Sequence, residues 1–295
     1  MTLLGVAYVV VWNPSRTPTV DIADVQRTPE PTTSPTLPPS APPVPSSPAV
    51  AVVPTFGGDV SWPNCPLGTP GHLPKRPAKG LGMPGPAAQF VVIGLTNGPG
   101  FYPNPCLAEQ VAEAKRRHLF TAAYAFTTMP NPSQVSRYGG TGPWSSRTAL
   151  GRMQNAAFAE AQINLASVRR TGLRTPIIWM DVEPQDYLGP WGTDVTVNRA
   201  VIRAVQKAYH QAGFGTGFYS APYAWKPITG GLRDSAPTWV TSGPRSRAVA
   251  EAKCGAPSFS GGPVALSQYW VEDVADFNVT CPLARSDVAR FFATN

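Results

Sequence analysis

The sequence predicts an α/β fold: a TIM-like (β/α) barrel preceded by a disordered tail rich in Pro, Thr and Ser. Three observations point there. Short β-prone runs alternate with helical segments over roughly the last 240 residues, and such alternation builds a parallel sheet wrapped by helices. That length suits one large domain with a substantial interior. The tail does not join it, because Pro14 to Pro54 is dense in Pro, Thr, Ser and Val and has nothing to bury. No internal repeat interrupts the pattern.

The elements follow in order. Leu3 to Trp12 (LLGVAYVVVW) is an apolar run too short for a confident membrane span. It suits a signal-peptide core or a short membrane anchor, although no basic region precedes it. We therefore expect 1–13 as that segment, 14–54 as a disordered Pro-rich linker and 55–295 as the barrel. The first strand ends at Asp59 in Phe56-Gly57-Gly58-Asp59-Val60-Ser61. Phe90 to Leu95 is strongly β-prone. Leu107 to His118 has helical spacing and a basic last turn, which suits a helix C-terminus. Phe120 to Phe126 is a third strand, followed by a polar loop to Ser146. Thr148 to Arg170 is a long helix with Met153, Ala157, Ala161, Leu165 and Val168 near one face. Pro176 to Pro184 holds the central strand, and Thr196 to Ala212 is a helix. Gly215 to Ser220, Thr238 to Thr241 and Val264 to Trp270 are strands. Ser286 to Ala293 closes the chain as a helix.

Composition narrows the function. The net charge is +7, and charged residues make up only 14%. Two of the 24 basic and three of the 17 acidic residues precede Thr55, so the excess lies in the domain. The basic residues are scattered, so no nucleic-acid partner is expected; a basic surface suits an anionic polymer such as a bacterial cell wall. No Gly-x-Ser-x-Gly elbow and no Gly-Lys-Ser/Thr loop is present. The three histidines, His72, His118 and His210, have no metal-site spacing, so neither metal nor cofactor is expected. The four cysteines are Cys65, Cys106, Cys254 and Cys281. Their even number in an exported chain predicts two disulfides. Cys65–Cys106 and Cys254–Cys281 are favoured as neighbours along the chain, although three pairings remain open.

The chemistry centres on Trp179-Met180-Asp181-Val182-Glu183. Side chains alternate along a strand, so Asp181 and Glu183 point the same way. Two carboxyls so close push their pKa values apart, and one can hold a proton while the other stays ionised. Glycoside hydrolysis needs that arrangement. In barrels the chemistry sits where strands end. Those ends carry Asp59, Tyr124, Phe126, Asp181, Glu183, Tyr219, Trp239, Gln268 and Tyr269, and Asp276 follows the last strand. Acids among aromatic rings describe a sugar pocket. Trp179 reads as core. Trp144, Tyr187 and Trp191 lie in loops where they could touch further sugar.

The ordered motifs resemble glycoside hydrolase family 25, the Chalaropsis-type lysozymes (N-acetylmuramidases). Gly58-Asp59-Val60-Ser61 is similar to the family's opening strand, and Ala123-Tyr124-Ala125-Phe126 to its Ala-Tyr-His-Phe. Trp179 to Glu183 is similar to its Asp-x-Glu strand, and Asp276-Phe277-Asn278 to its closing Asp-x-Asn. Phe218-Tyr219-Ser220, Trp239 and Gln268-Tyr269 fall in the remaining places. The resemblance implies a hydrolase of the peptidoglycan glycan backbone. Glu183 would be its general acid, and Asp181 would stabilise the anomeric charge or orient the substrate's acetamido group. Asp59 and Asp276 would complete the acid set. Tyr124, Phe126, Tyr219, Trp239, Gln268 and Tyr269 would bind substrate. The chain would act as a monomer, secreted or held at the cell envelope. It departs from the family at Ala125, where the family has His. It departs again at Gly94-Leu95-Thr96-Asn97-Gly98, which lacks a Lys and a Glu, and at Trp62-Pro63-Asn64-Cys65, where a Gln is expected. These departures are expected at the pocket rim. A non-catalytic glycan-binding barrel is the alternative.

Overall fold

The structure is a computed structural model that describes residues 52–71, 77–184 and 191–295. The expected signal segment, the linker up to residue 51, His72 and Tyr187 lie outside the described residues.

Eight strands close into one barrel in sequence order. They are β1 (Phe56–Val60), β2 (Phe90–Gly94), β3 (Phe120–Phe126), β4 (Ile177–Asp181), β5 (Gly215–Ser220), β6 (Thr238–Thr241), β7 (Val264–Val271) and β8 (Ala275–Thr280). Around them lie α1 (Leu107–Arg116), α2 (Pro132–Tyr138), α3 (Ala149–Thr171), α4 (Val195–Gln211), α5 (Pro222–Thr229), α6 (Arg247–Lys253), α7 (Pro282–Ser286) and α8 (Val288–Phe291). The α/β barrel expected from the sequence is therefore present.

It is not parallel throughout. β1 to β7 run parallel, but β8 is antiparallel to both β7 and β1. The cause is the length of the connection. Residues 272–274 join β7 to β8, whereas a parallel return needs a crossover of about a dozen residues or more. Asp276-Phe277-Asn278, expected after the last strand, therefore lies inside β8. The expected closing helix is also divided. Asp287 separates α7 from α8 with φ −138° and ψ 65°, and Ala293 pairs with Thr121. The long polar loop contains α2, begun by Asn131, whose Oδ1 accepts from Gln134 N at 3.0 Å. Such a short helix shows no period, but Asn-Pro-x-Gln is a helix-start signal.

Alternation splits the strands between two cores. Val91, Ile93, Ala125, Ile178, Met180 and Phe218 face outward and pack with Ala157, Ala161 and Leu165 of α3 and Val201 and Val205 of α4. Phe90, Val92, Tyr124, Trp179 and Trp239 fill the inside. The rings of Tyr124 and Trp239, on strands that do not neighbour each other, stand 5.7 Å apart. At the end where strands begin, Phe292 sits 4.8 Å from Phe90 and Phe291 stacks 6.2 Å from Trp179. That end of the barrel interior is plugged by these two rings.

Two glycines make room for this filling. A Cβ on Gly217 would fall 2.3 Å from the Trp179 ring, and one on Gly94 2.6 Å from Ser61 Cβ and 2.8 Å from the Tyr124 ring. The favoured disulfides are both present, Cys65–Cys106 and Cys254–Cys281. The first ties the long β1–β2 connection to the start of α1, and the second ties the end of α6 to the end of β8.

Candidate functional site

A cavity of about 380 Å³ opens where the strands end. Asp59, Asp276, Asp181 and Glu183 converge on it from β1, β8, β4 and the residues just past β4. Tyr124, Phe126, Tyr219, Trp239 and Gln268 line it as well, so nine of the ten expected site residues meet in one pocket.

Asp59 sits at the centre of a hydrogen-bond chain. Asn278 Nδ2 donates to Asp59 Oδ2 at 2.5 Å, and Gln268 Nε2 donates to the same oxygen at 3.0 Å. Trp239 Nε1 donates to Asn278 Oδ1 at 2.7 Å, and Tyr219 OH donates to Gln268 Oε1 at 2.7 Å. An indole N–H can only donate. Trp239 therefore forces the oxygen of Asn278 toward itself and the amide nitrogen toward Asp59. These donors favour the ionised form, but burial outweighs them. Burial first, then the Asp276 charge, raises the Asp59 carboxyl to about 8. Asp276 faces Asp59 across the β1–β8 pair. Burial raises it to about 6, against the pull of Lys79. The two facing carboxyls titrate as one unit.

Asp181 is the deeper of the second pair, at 3% exposure, while Glu183 is half-buried. Burial, then Glu183, then Asp59 push the Asp181 carboxyl well above the usual range. Its Oδ1 has no hydrogen-bond partner among the described residues. A buried polar atom without a partner is costly and therefore informative; this one lies in the pocket wall, where a bound ligand can satisfy it. Trp191 Nε1 donates to the Glu183 carbonyl at 3.3 Å and steadies the backbone beneath that carboxyl.

With this geometry in view, the relatives become informative. A family model described as lysozyme-like protein 1 matches residues 151–248, about a third of the chain. No curated protein sequence matches it. The bacterial lysozyme from Streptomyces coelicolor superposes with a TM-score of 0.51 at 18% identity, covering 80% of this chain and 97% of that one. A family GH25 lysozyme from Aspergillus fumigatus gives 0.45 at 18% identity over 79% and 96%. The catalytic domain of the endolysin from bacteriophage P40 of Listeria monocytogenes gives 0.46 at 16% identity over 82% and 100%. The chain shares its barrel fold with the Streptomyces coelicolor lysozyme.

The geometry of the pocket also corrects the expected site. Tyr269 is not in the pocket. It lies outside the barrel, stacked 5.1 Å from Phe277 and within reach of Arg247 and Glu251 of α6. Gln268 faces in, so its neighbour must face out and Trp270 faces in again; Trp270 lines the pocket and was missed. Asn278 was also missed as a site residue, though the same period places it beside Asp276. Trp62, in the segment that replaces the expected Gln, lines the pocket too. Tyr223, in the first turn of α5, stands 73% exposed beside the acids; partial burial, then Glu183 and Asp181, raise its phenol. Trp179 is core, as expected. Trp144 is not at the pocket: it packs on Phe158 at 5.9 Å beneath the Lys207 ammonium. Ala125, expected at the rim, faces the helix layer instead. At Gly94 the space of the absent side chain is taken by Tyr124 and Ser61. Among the described residues, no group of three His, Cys, Asp or Glu is placed to hold a metal.

Proposed function

We propose that this protein hydrolyses the glycan backbone of bacterial peptidoglycan outside the cytoplasm, as an N-acetylmuramidase. One observation carries the reading. A half-buried glutamate and a fully buried aspartate with an unpaired oxygen stand side by side on the open rim of a lysozyme-type barrel. Burial and the neighbouring Glu183 raise the Asp181 carboxyl, and two carboxyls this close favour retention of a proton between them.

In this mechanism Glu183, the more accessible of the two, protonates the glycosidic oxygen as the bond to the anomeric carbon breaks. Asp181 uses its free Oδ1 to take the N–H of the substrate's acetamido group. That turns the acetamido carbonyl toward the anomeric carbon, where positive charge develops. Water then opens the resulting ring intermediate, and Glu183, now ionised, accepts the proton of that water. Asp276, drawn toward ionisation by Lys79, adds negative charge nearby. Asp59, held by Asn278 and Gln268, keeps the wall of the pocket in place. Tyr124, Tyr219 and Trp239 pack the floor with rings.

The two disulfides support an extracytoplasmic setting. The test is to incubate the disulfide-bonded protein with purified peptidoglycan and weigh the soluble products by mass spectrometry. Muropeptides with new reducing-end muramic acid are the expected result. Asn97 occupies the expected place of a family glutamate, which favours a second reading, a non-catalytic glycan-binding barrel. Sedimentation of intact protein with the wall, without any release, would replace the first reading with that one.

A further inference from the structure

The basic residues are scattered along the sequence, but the fold gathers several of them at one end. Each long helix runs back against the strand before it. Its C-terminus therefore comes to the end where strands begin, the end plugged by Phe291 and Phe292. Lys115 and Arg116 close α1, and Arg169 and Arg170 close α3. Arg174 lies in the turn into β4, and Arg290 lies in α8 with its guanidinium 5.2 Å over the Phe291 ring. All of these cations are exposed. Three contacts join them into one surface. The hydroxyl of Thr121, at the start of β3, donates to Arg174 O at 2.7 Å. Thr121 N donates to Ala293 O at 2.9 Å, and Asn295 Nδ2 donates to Leu119 O, in the turn after α1, at 3.0 Å. The α1–β3 turn, the α3–β4 turn and the C-terminal segment therefore lie side by side.

The ordinary explanation is the helix dipole, which favours cations in a last turn. It covers Lys115, Arg116, Arg169 and Arg170. It does not call for Arg174, past the left-handed Gly172 that ends α3, nor for Arg290, in a helix of 4 residues. Charge pairing does not use them up either. Of these cations only Arg116 meets a carboxylate among the described residues, Glu113 of its own helix. Like charges gathered in this way repel one another, and an anionic surface relieves the repulsion. Asp59, Asp181, Glu183 and Asp276 gather at the other end. With 23 residues, α3 is about 34 Å long, whereas salt screens charges beyond about 8 Å. The two ends act as separate electrostatic surfaces.

We propose that this basic end docks on an anionic phospholipid bilayer, with lipid phosphates as counter-ions and the acid pocket held on the far side. Two features favour a bilayer over a polyanionic strand. The cations come from α1, α3, the turn after α3 and α8, around a closed end of the barrel and not along one groove, so a plane meets them together. The described chain also enters the barrel here. Thr280 Oγ1 donates to Pro54 O at 2.7 Å, and Thr55 N donates to Gln89 Oε1 at 2.8 Å. The apolar run Leu3 to Trp12 is thus joined by sequence to the basic end and not to the acids. Nothing in this docking depends on the glycan-cleaving reading.

The test uses the full-length chain with vesicles of phosphatidylglycerol and phosphatidylcholine, or of phosphatidylcholine alone. Sedimentation at increasing salt gives the affinity, and hydrogen exchange gives the docked face. Binding should favour the anionic vesicles and fall as salt rises. Arg169→Gln, Arg170→Gln and Arg174→Gln together should reduce that preference about a hundredfold, as expected for three cations near an anionic surface. Arg137→Gln, Arg147→Gln and Arg152→Gln, exposed positions in α2 and around the start of α3, remove the same charge far from this end and should leave the preference in place. On anionic vesicles only, exchange should slow at residues 117–119 and 171–175 and stay as in solution around the acid pocket. That reading holds even where the apolar run fastens the chain to both kinds of vesicle. Equal binding to both kinds without such protection, equal losses from the two triple variants, or protection at the acid end would overturn the proposal. Affinity for soluble polyphosphate with none for anionic vesicles would overturn it too, and would assign the face to a polyanionic strand.

Discussion

Glu160 shows what a single buried side chain can decide. It lies in α3 with no exposed surface, and both its oxygens are occupied by Thr128, whose N–H donates to Oε1 at 3.1 Å and whose hydroxyl meets Oε2 at 3.0 Å. Thr127, next in the chain, donates its N–H to the Asp181 carbonyl at 2.9 Å. Burial raises the Glu160 carboxyl from 4.5 to about 8, against the two bonds from Thr128. Between those values the folded chain keeps a proton that the unfolded chain has lost. The contribution is whole below about pH 4.5 and is lost as pH rises through about 8. Glu160→Gln, which copies the protonated shape, should flatten this dependence and keep the protein more stable at pH 9 by about a few kcal/mol. Thermal melts of both proteins from pH 5 to 9 would show it; parallel curves would mean that Glu160 is not held neutral. At this scale the sequence was legible where a period of two was applied, as for Asp181 and Glu183, and where a strand's end could be read, as for Asp59. Tyr269 was misplaced because Gln268-Tyr269 was taken as a pair, although neighbours on a strand face opposite sides. The period of two places Asn278 beside Asp276, but its bond to Trp239, like that of Glu160 to Thr128, joins residues distant in sequence that no local pattern pairs.

Among the elements, long periodic segments were legible and short ones were not. α3 and α4 begin and end within a residue or two of the expected positions, because an apolar stripe over many turns leaves a clear signal. α2 and α5 are one or two turns long and leave none. The reversal of β8 was readable in principle, since three residues cannot cross a barrel, but its polar sequence hid the strand. The second disulfide fastens this last region. Its loop spans 27 residues, for which the entropy of closing the unfolded chain corresponds to about 3–4 kcal/mol. Changing Cys254 and Cys281 together to Ser should lower the melting temperature by several degrees, and the loss should equal that from reducing this bond in the parent chain. An unchanged melt would show that α6 and β8 hold together without it.

On the scale of the whole molecule, one end of the barrel is plugged by Phe291 and Phe292 and the other carries the acids. The acids therefore lie on the open end of the barrel interior. An excess of basic residues in the same chain favours approach to an anionic wall. The central claim is that Glu183 gives the proton that breaks the glycan. Glu183→Gln should keep the melting temperature and binding to the wall, and release muropeptides from purified peptidoglycan at least about a thousandfold more slowly than the parent, as loss of the general acid requires. Undiminished release by a folded Glu183→Gln protein would contradict the account and take Glu183 out of the mechanism.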